Sequence, residues 1–100
     1  MGWTNATGAL GNIDQPILYQ NAPNPFGIES TIRFFIPSSA KQVDLYVYDI
    51  NGNKRKSFSI TEKGEGSVKI AANELGKGAY FYSLVIDGAI RDSKSMLITD

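Results

Sequence analysis

The chain has 100 residues, its ten basic and ten acidic residues cancel, and it contains neither cysteine nor histidine. This length forms one domain with a modest core and leaves no room for a deep substrate pocket beside that core. The balanced charge argues against nucleic acid as a partner, and the missing cysteine and histidine exclude disulfides, thiolate catalysis and histidine-based proton transfer. We therefore expect no enzyme, no cofactor and no metal site.

Residues 1–15 are rich in glycine, asparagine, threonine and alanine and show little hydrophobic pattern. This composition predicts a linker from an upstream parent protein, followed by one domain over residues 16–100. Trp3 in this segment is interpreted as an exposed aromatic, and Asn5 begins a short glycosylation-type pattern. No apolar run approaches the roughly 20 residues that span a bilayer, so stable membrane insertion is not expected.

The first motif after this segment is a proline-rich bend, Pro23-Asn24-Pro25-Phe26. Each proline fixes its own φ and biases the preceding residue, Ala22 or Asn24, toward an extended conformation. Such a segment cannot continue a central strand because proline has no backbone N–H to donate. We expect a rigid entry bend after which Phe26 packs into the core.

From Pro16 onward, apolar residues alternate with a period of two between short turn signals. The pattern predicts seven strands, at about residues 16–20, 30–36, 42–50, 54–60, 67–72, 79–87 and 90–98. Tight hairpins are predicted at Asn51-Gly52 and Asp87-Gly88, and longer turns at residues 64–66 and 76–78. Residues 71–75 suit at most one 3₁₀ turn. The fold class is therefore all-β, an antiparallel β-sandwich of about seven strands.

Strand alternation also divides the side chains between two faces. The predicted core contains Ile32, Phe34, Ile36, Leu45, Val47, Phe58, Ile60, Val68, Ile70, Leu75, Tyr80, Tyr82, Leu84, Ile86, Met96 and Ile98. The opposite face carries Tyr46, Tyr48, Ile50, Phe81 and Val85, which is more apolar surface than a solvated face requires. Tyr46, Tyr48 and Phe81 form a candidate interaction surface, either a sugar-stacking platform or a contact with a neighbouring domain or oligomer partner.

Two groups of polar residues have an alternative chemical interpretation. Asp49, Asn51 and Asn53 alternate around Gly52 and imitate part of a calcium loop, although the spacing departs from that of an EF-hand and a hairpin turn is preferred. The carboxylates near turns show no sign of a shared pocket and are interpreted as solvated: Glu62, Glu65 and Glu74.

Four motifs occur in a fixed order: Pro23-Asn24-Pro25-Phe26, a strand and hairpin at residues 43–52, Leu75-Gly76-Lys77-Gly78-Ala79-Tyr80-Phe81-Tyr82, and Lys94-Ser95-Met96-Leu97-Ile98. Together they resemble the type A C-terminal sorting domain of the type IX (Por) secretion system of Bacteroidetes. The resemblance covers roughly residues 17–100. It departs from that family at residues 27–29, where members often have a polar turn, and at Thr99-Asp100, where they often end on a basic residue.

The resemblance implies an immunoglobulin-like sandwich that acts as a non-catalytic secretion and sorting signal. Its implied partners are an upstream cargo domain and the outer-membrane secretion machinery, with weak self-association as a further possibility, and its implied location is the cell surface or the medium. The implied signature residues are Pro23, Asn24, Pro25, Phe26, Gly78, Tyr80, Tyr82, Lys94 and Met96, with the last strand offering an edge for pairing. The alternative is an accessory carbohydrate-binding, interdomain or oligomerisation module of a larger surface protein.

Overall fold

The computed structural model describes residues 15–99 as two packed antiparallel sheets. The predicted linker therefore lies outside the described residues except for Gln15, and so do Trp3 and the Asn5 pattern. The strands are β1 (Ile17–Leu18), β2 (Glu29–Ile36), β3 (Val43–Asp49), β4 (Lys54–Ser59), β5 (Gly64–Ala71), β6 (Gly78–Ile86) and β7 (Ala89–Ile98), with one helical turn, α1 (Ala72–Leu75), between β5 and β6. The predicted all-β class and seven strands are confirmed.

One sheet has the order β1-β2-β5 and the other the order β4-β3-β6-β7. The chain crosses between the sheets after β2, after β4 and after β5, as it does in immunoglobulin-like sandwiches. In the described residues no helix is long and apolar enough to cross a membrane.

The strand registers define two ends of the sandwich, which we call the β1 pole and the β7 pole. The β1 pole is where β1 begins, since Ile17 pairs with Phe35 near the end of β2. The β7 pole is where β7 ends, since Ile98 pairs with Gly78 at the start of β6. Residues 37–42, 60–63 and 87–88 connect strands at the β1 pole, and residues 19–28, 50–53 and 72–77 lie at the β7 pole.

Strand alternation produces the core as predicted, with two exceptions at the sheet edges. Phe58 and Val68 are only partly buried because β4 and β5 are edge strands, and each leaves one side open to solvent. The predicted burial of Phe26 is confirmed. The core also includes residues that the alternation did not assign: Leu18, Ala40, Val43 and Ala72. Val85, assigned to the outer face, is nearly covered.

The predicted turn at residues 64–66 is wrong, because β5 already begins at Gly64 and the chain reverses over residues 60–63. Gly66 is needed for packing rather than for a turn. It lies directly opposite Phe34 of β2, and a Cβ at this position would sit 2.7 Å from the Phe34 Cε1 atom. The hairpins at Gly52 and Gly88 are confirmed, with φ of 84° and 85°.

The short helix is an α turn rather than the predicted 3₁₀ turn, because the Gly76 N–H donates to the Ala72 carbonyl four residues back, at 2.9 Å. Its last carbonyls are satisfied by a tyrosine of β6. The Tyr80 hydroxyl lies 2.7 Å from the Leu75 carbonyl and 2.9 Å from the Gly76 carbonyl. This arrangement is the tyrosine corner of immunoglobulin-like sandwiches, and it fixes the entry into β6.

We expect Gly66→Ala to lower the free energy of unfolding by about 1–3 kcal/mol, because the new methyl group displaces the Phe34 ring. Ser67→Ala, in the same strand at an exposed position, should change it by less than about 0.5 kcal/mol. Urea unfolding measures both, and Phe34→Leu should reduce the cost of Gly66→Ala by making room. Equal stabilities of Gly66→Ala and the parent chain would contradict this packing role.

Candidate recognition surface

The proline-rich segment crosses from one sheet to the other. We call residues 20–26 the entry strap. At its middle, Ala22 pairs with Thr31 of β2 through two backbone hydrogen bonds of 3.0 and 2.9 Å. Four residues later, Phe26 forms a parallel bridge with Ile98 of β7. Pro23 and Pro25 lie between these two pairings, where no strand continues, and both of their preceding peptide bonds are cis.

Backbone hydrogen bonds join the end of the entry strap to the outer edge of β7. The Phe26 N–H donates to the Leu97 carbonyl at 3.1 Å, and the Thr99 N–H donates to the Phe26 carbonyl at 2.8 Å. Phe26 thus acts as a one-residue strand beside β7, while its buried ring fills the core. The two segments, more than 70 residues apart in sequence, form one structural unit.

Side chains of the strap extend this pairing. The Asn24 Oδ1 accepts the Leu97 N–H at 3.0 Å, and the Gln20 Nε2 donates to the Ser95 carbonyl at 2.6 Å. The edge of β7 from Ser95 to Thr99 is therefore already occupied. The predicted pairing edge is restricted to the first half of β7, residues 89–94.

A buried polar network holds the strap in its bend. The Asn21 side chain, only 2% exposed, donates from Nδ2 to the Pro23 carbonyl at 3.1 Å and to the Ser30 Oγ at 2.9 Å. The Ser30 hydroxyl donates to the same carbonyl at 2.7 Å. Buried polar groups persist only when hydrogen-bonded, so this network selects one conformation of the bend.

Asn21 and Ser30 were not among the predicted site residues, although the sequence carries a signal for one of them. Ser30 occupies the inward-facing set of β2, and its fellow members Ile32, Phe34 and Ile36 are all large and apolar. A lone serine in such a set indicates a buried hydroxyl with a nearby acceptor. Nothing in the sequence around Asn21 distinguishes it from an ordinary loop asparagine.

Tyr82 connects the strap to the centre of the opposite sheet. Its hydroxyl accepts the Asn21 N–H at 2.7 Å and donates to the Tyr19 carbonyl at 2.8 Å. The side chain is fully buried, and this burial raises the pKa of the Tyr82 hydroxyl to about 12. The neutral Tyr82 side chain therefore links β6 to the start of the strap through two hydrogen bonds.

The remaining signature residues surround this unit. Gly78 pairs with Ile98, whose other edge carries Phe26, so the start of β6, the end of β7 and the strap lie side by side at the β7 pole. Met96 is buried in the core opposite Tyr80. Lys94 lies farther along β7, half-buried, with its Nζ atom 3.5 Å from the Asp92 carboxylate.

The aromatic surface of Tyr46, Tyr48 and Phe81 lies on the outer face of the four-stranded sheet. Tyr48 and Phe81 are cross-strand neighbours, and Phe81 is 47% exposed. The rings of Tyr46 and Tyr48 meet edge to face, at 74° and 6.3 Å between centroids, and the Lys54 Nζ atom lies 3.6 Å from the centre of the Tyr46 ring. The two tyrosine rings are therefore not coplanar, and the Lys54 ammonium lies over one of them.

The loop after β3 is a hairpin, as preferred, and its carboxylate is used internally. The Asp49 Oδ1 accepts the N–H groups of Asn51 and Asn53 at 2.9 and 3.0 Å, and these bonds, led by that of Asn53, lower the pKa of Asp49. An aspartate engaged by its own loop is poorly placed to ligate calcium. Within residues 15–99, no three or more His, Cys, Asp or Glu side chains group together in a way that could hold a metal ion.

All three carboxylates interpreted as solvated, Glu62, Glu65 and Glu74, are exposed as predicted. Glu74 also takes part in two contacts. It accepts from the Lys56 Nζ at 2.9 Å and from the Ala71 N–H at 3.1 Å, and these contacts, the Lys56 bond foremost, lower its pKa. The three carboxylates do not converge on a common site.

We expect Tyr82→Phe to lower the free energy of unfolding by about 1–3 kcal/mol, because the Asn21 N–H and the Tyr19 carbonyl lose their partner. The folded pKa of about 12 exceeds the ordinary 10.0, so folding favours the protonated phenol. Its contribution to stability is complete below pH 10.0 and is lost as the pH rises to about 12. Urea unfolding at several pH values in this range should show that the free energy of unfolding falls more steeply with pH for the parent chain than for Tyr82→Phe. Identical pH profiles would contradict the role of the Tyr82 hydroxyl in this network.

A family described as "Secretion system C-terminal sorting domain" matches residues 22–99, a span that begins within the strap and ends just after β7. No curated protein matches the chain. Among solved structures, a domain of a biofilm-associated protein, titled "Biofilm associated protein - BSP domain", superposes with a TM-score of 0.58 at 13% identity.

That superposition covers 86% of this chain but only 14% of the biofilm-associated chain, so it supports the fold alone. The family match is the informative one, since it includes every predicted signature residue from Pro23 to Met96. Members of this family are non-catalytic sorting signals of proteins exported through the outer membrane to the cell surface or the medium. The chain belongs to the family of C-terminal sorting domains of the type IX secretion system.

Proposed function

We propose that this domain directs an attached upstream cargo to the cell surface, and that the secretion machinery recognises the entry strap and the end of β7 as one folded surface. The observation that carries this proposal is the pairing of Phe26 with Leu97 and Thr99. The two segments that carry the opening and closing signatures contact each other directly. A partner that binds this region contacts both segments at once, and it can do so only when the domain is folded.

Burial divides the signature residues into two roles. Phe26, Tyr80, Tyr82 and Met96 are all nearly or fully buried, so a partner protein cannot touch their side chains in the folded state. These residues set the position of the strap, the tyrosine corner and β7. Their contribution to sorting is therefore structural.

The fully exposed signature residues lie in the strap, and Gly78 and Lys94 are partly exposed. Pro23, Asn24 and Pro25 are exposed in the strap, and the Leu97 side chain beside them is 44% exposed. Ile28, just after the strap, is 85% exposed but lies apart from this patch, beside Ala71 and Ala72. Rigid proline and aliphatic side chains lose little conformational entropy on binding, so this patch suits an apolar docking surface on the machinery.

The positions of the chain entry and of the proposed patch at opposite ends of the domain suit a sorting signal. The described chain enters at the β1 pole, and the strap, Leu97 and the end of β7 lie toward the β7 pole. The described fold therefore begins at the end opposite the recognition patch, which leaves the patch clear of the point where the chain enters.

We expect a periplasm-targeted fluorescent reporter fused ahead of residues 1–100 to reach the surface or the medium in a type IX-competent strain. It should remain in the periplasm of a secretion-deficient mutant. Leu97→Ser should reduce export at least about tenfold, because it removes apolar contact at the patch, where a few residues carry most of the binding energy. The matched control is Ile90→Ser, at a 64% exposed position in the other half of β7, which should be exported normally.

The outcomes separate two claims. Retention of the unsubstituted fusion in both strains would contradict the sorting function itself. Export of Leu97→Ser at the parent level would contradict the location of the patch while leaving the sorting function intact. Urea unfolding of both purified variants checks that the substitutions leave the fold stable, as expected for exposed positions.

A further inference from the structure

The free edges of the two sheets differ in how well they are protected from pairing with other chains. An edge strand presents unpaired N–H and C=O groups, and proteins guard it with short length, bulges, charge or a covering segment. β1 has only two residues. β7 is covered by the entry strap over its second half, and its pairing with β6 shifts register between Leu84 and Val85.

The remaining edge of the four-stranded sheet is guarded as well. β4 contains a register shift opposite Val47 and Tyr48 and begins with three consecutive basic residues, Lys54, Arg55 and Lys56. The bulge breaks the regular register that another strand would need to pair along this edge. Three of the four edge strands thus carry a recognisable obstacle to pairing.

β5 is neither short, nor bulged, nor covered, and its exposed charged side chains, Glu65 and Lys69, are of opposite sign rather than all basic. It has eight residues, no proline and an unbroken register with β2, from Ala71 opposite Glu29 to Gly64 opposite Ile36. No strand in residues 15–99 pairs with its other side. β5 is therefore a regular edge that is long enough to accept another strand.

The charges along β5 indicate which strand fits. Glu65, Ser67 and Lys69 are exposed and lie on one face of β5 at two-residue spacing. Within the described residues, the side chains of Glu65 and Lys69 make no ion pair, whereas basic residues of the other two long edges do: Arg55 lies 3.7 Å from Asp49 and Lys94 lies 3.5 Å from Asp92. The two charges are opposite and equidistant in sequence from Ser67.

We propose that β5 is a self-association edge, on which a second copy of this chain pairs antiparallel about a two-fold axis at Ser67. In this register Glu65 lies opposite Lys69 of the second copy, and the symmetry repeats the pair. Directly opposed side chains of opposite charge stabilise an antiparallel ladder. Gly66 then faces Val68 of the second copy, so the partly buried valine gains a neighbour. The product is a continuous six-stranded sheet.

This pairing is compatible with the proposed recognition patch and does not depend on it. β5 and β1 lie at opposite edges of the three-stranded sheet, and β7 lies against β1. The entry strap and β7 therefore remain accessible in both copies of the dimer. Self-association and sorting are separate properties that separate experiments test.

A cysteine at the proposed axis tests the register directly, because the chain has no cysteine of its own. Opposed residues in an antiparallel pair have Cβ atoms about 4.5–5.5 Å apart, close to the distance that a disulfide requires. We expect Ser67→Cys in the full chain to form a disulfide-linked dimer under mild oxidation at least about tenfold faster than Ser59→Cys, an exposed control on the β4 edge. Equal rates for the two variants would overturn the proposal.

Charge reversal supplies a second test that needs no covalent bond. Lys69→Glu places like charges opposite each other twice and should weaken dimerisation by about tenfold or more in sedimentation equilibrium. The double variant Glu65→Lys/Lys69→Glu restores both pairs and should recover the parent dimer. Lys41→Glu, which makes the same charge change at an exposed loop position, should leave it unchanged. A monomeric parent chain at millimolar concentration, or no recovery in the double variant, would contradict the proposal.

Discussion

The pairing of Phe26 with the edge of β7 is the contact on which the rest of this domain depends. Its backbone joins a segment near the start of the fold to its last strand, at 3.1 and 2.8 Å, and its ring is buried beneath that pairing. Burying a phenylalanine contributes about 1.5–3 kcal/mol, and each hydrogen bond adds about 1 kcal/mol. For a small domain these contributions are a large part of the net stability. The same contact covers an edge that would otherwise be open to pairing.

The polar groups around the strap explain why the bend adopts one conformation. Asn21, Ser30 and the Pro23 carbonyl satisfy one another, and Tyr82 bonds both to Asn21 and to the Tyr19 carbonyl. Leaving one member of such a buried network without a partner costs about 1–3 kcal/mol, more than a typical hydrogen bond contributes, so other arrangements of these groups are disfavoured. The domain itself therefore holds the strap in one conformation.

The sequence predicted the sandwich and most of its core because period-two alternation is a local signal that tertiary packing did not override. The sequence analysis missed the start of β5, because Gly64 and Gly66 are typical turn residues. Gly66 is in fact required by packing, since a side chain there would clash with Phe34 of β2. The sequence also predicted an open edge on β7. The covering by Asn24 and Phe26 is a contact over more than 70 residues of sequence, and no local pattern reports it.

Amide hydrogen exchange at Leu97 and Thr99 tests most directly whether the strap and β7 form one unit in solution. Both N–H groups point outward from the edge of β7, one to the Asn24 Oδ1 and the other to the Phe26 carbonyl. The account predicts that both amides exchange slowly, at rates comparable to those of core strand amides. Rates like those of unprotected edge amides would contradict it, because the strap would then not be paired with β7 in the folded protein.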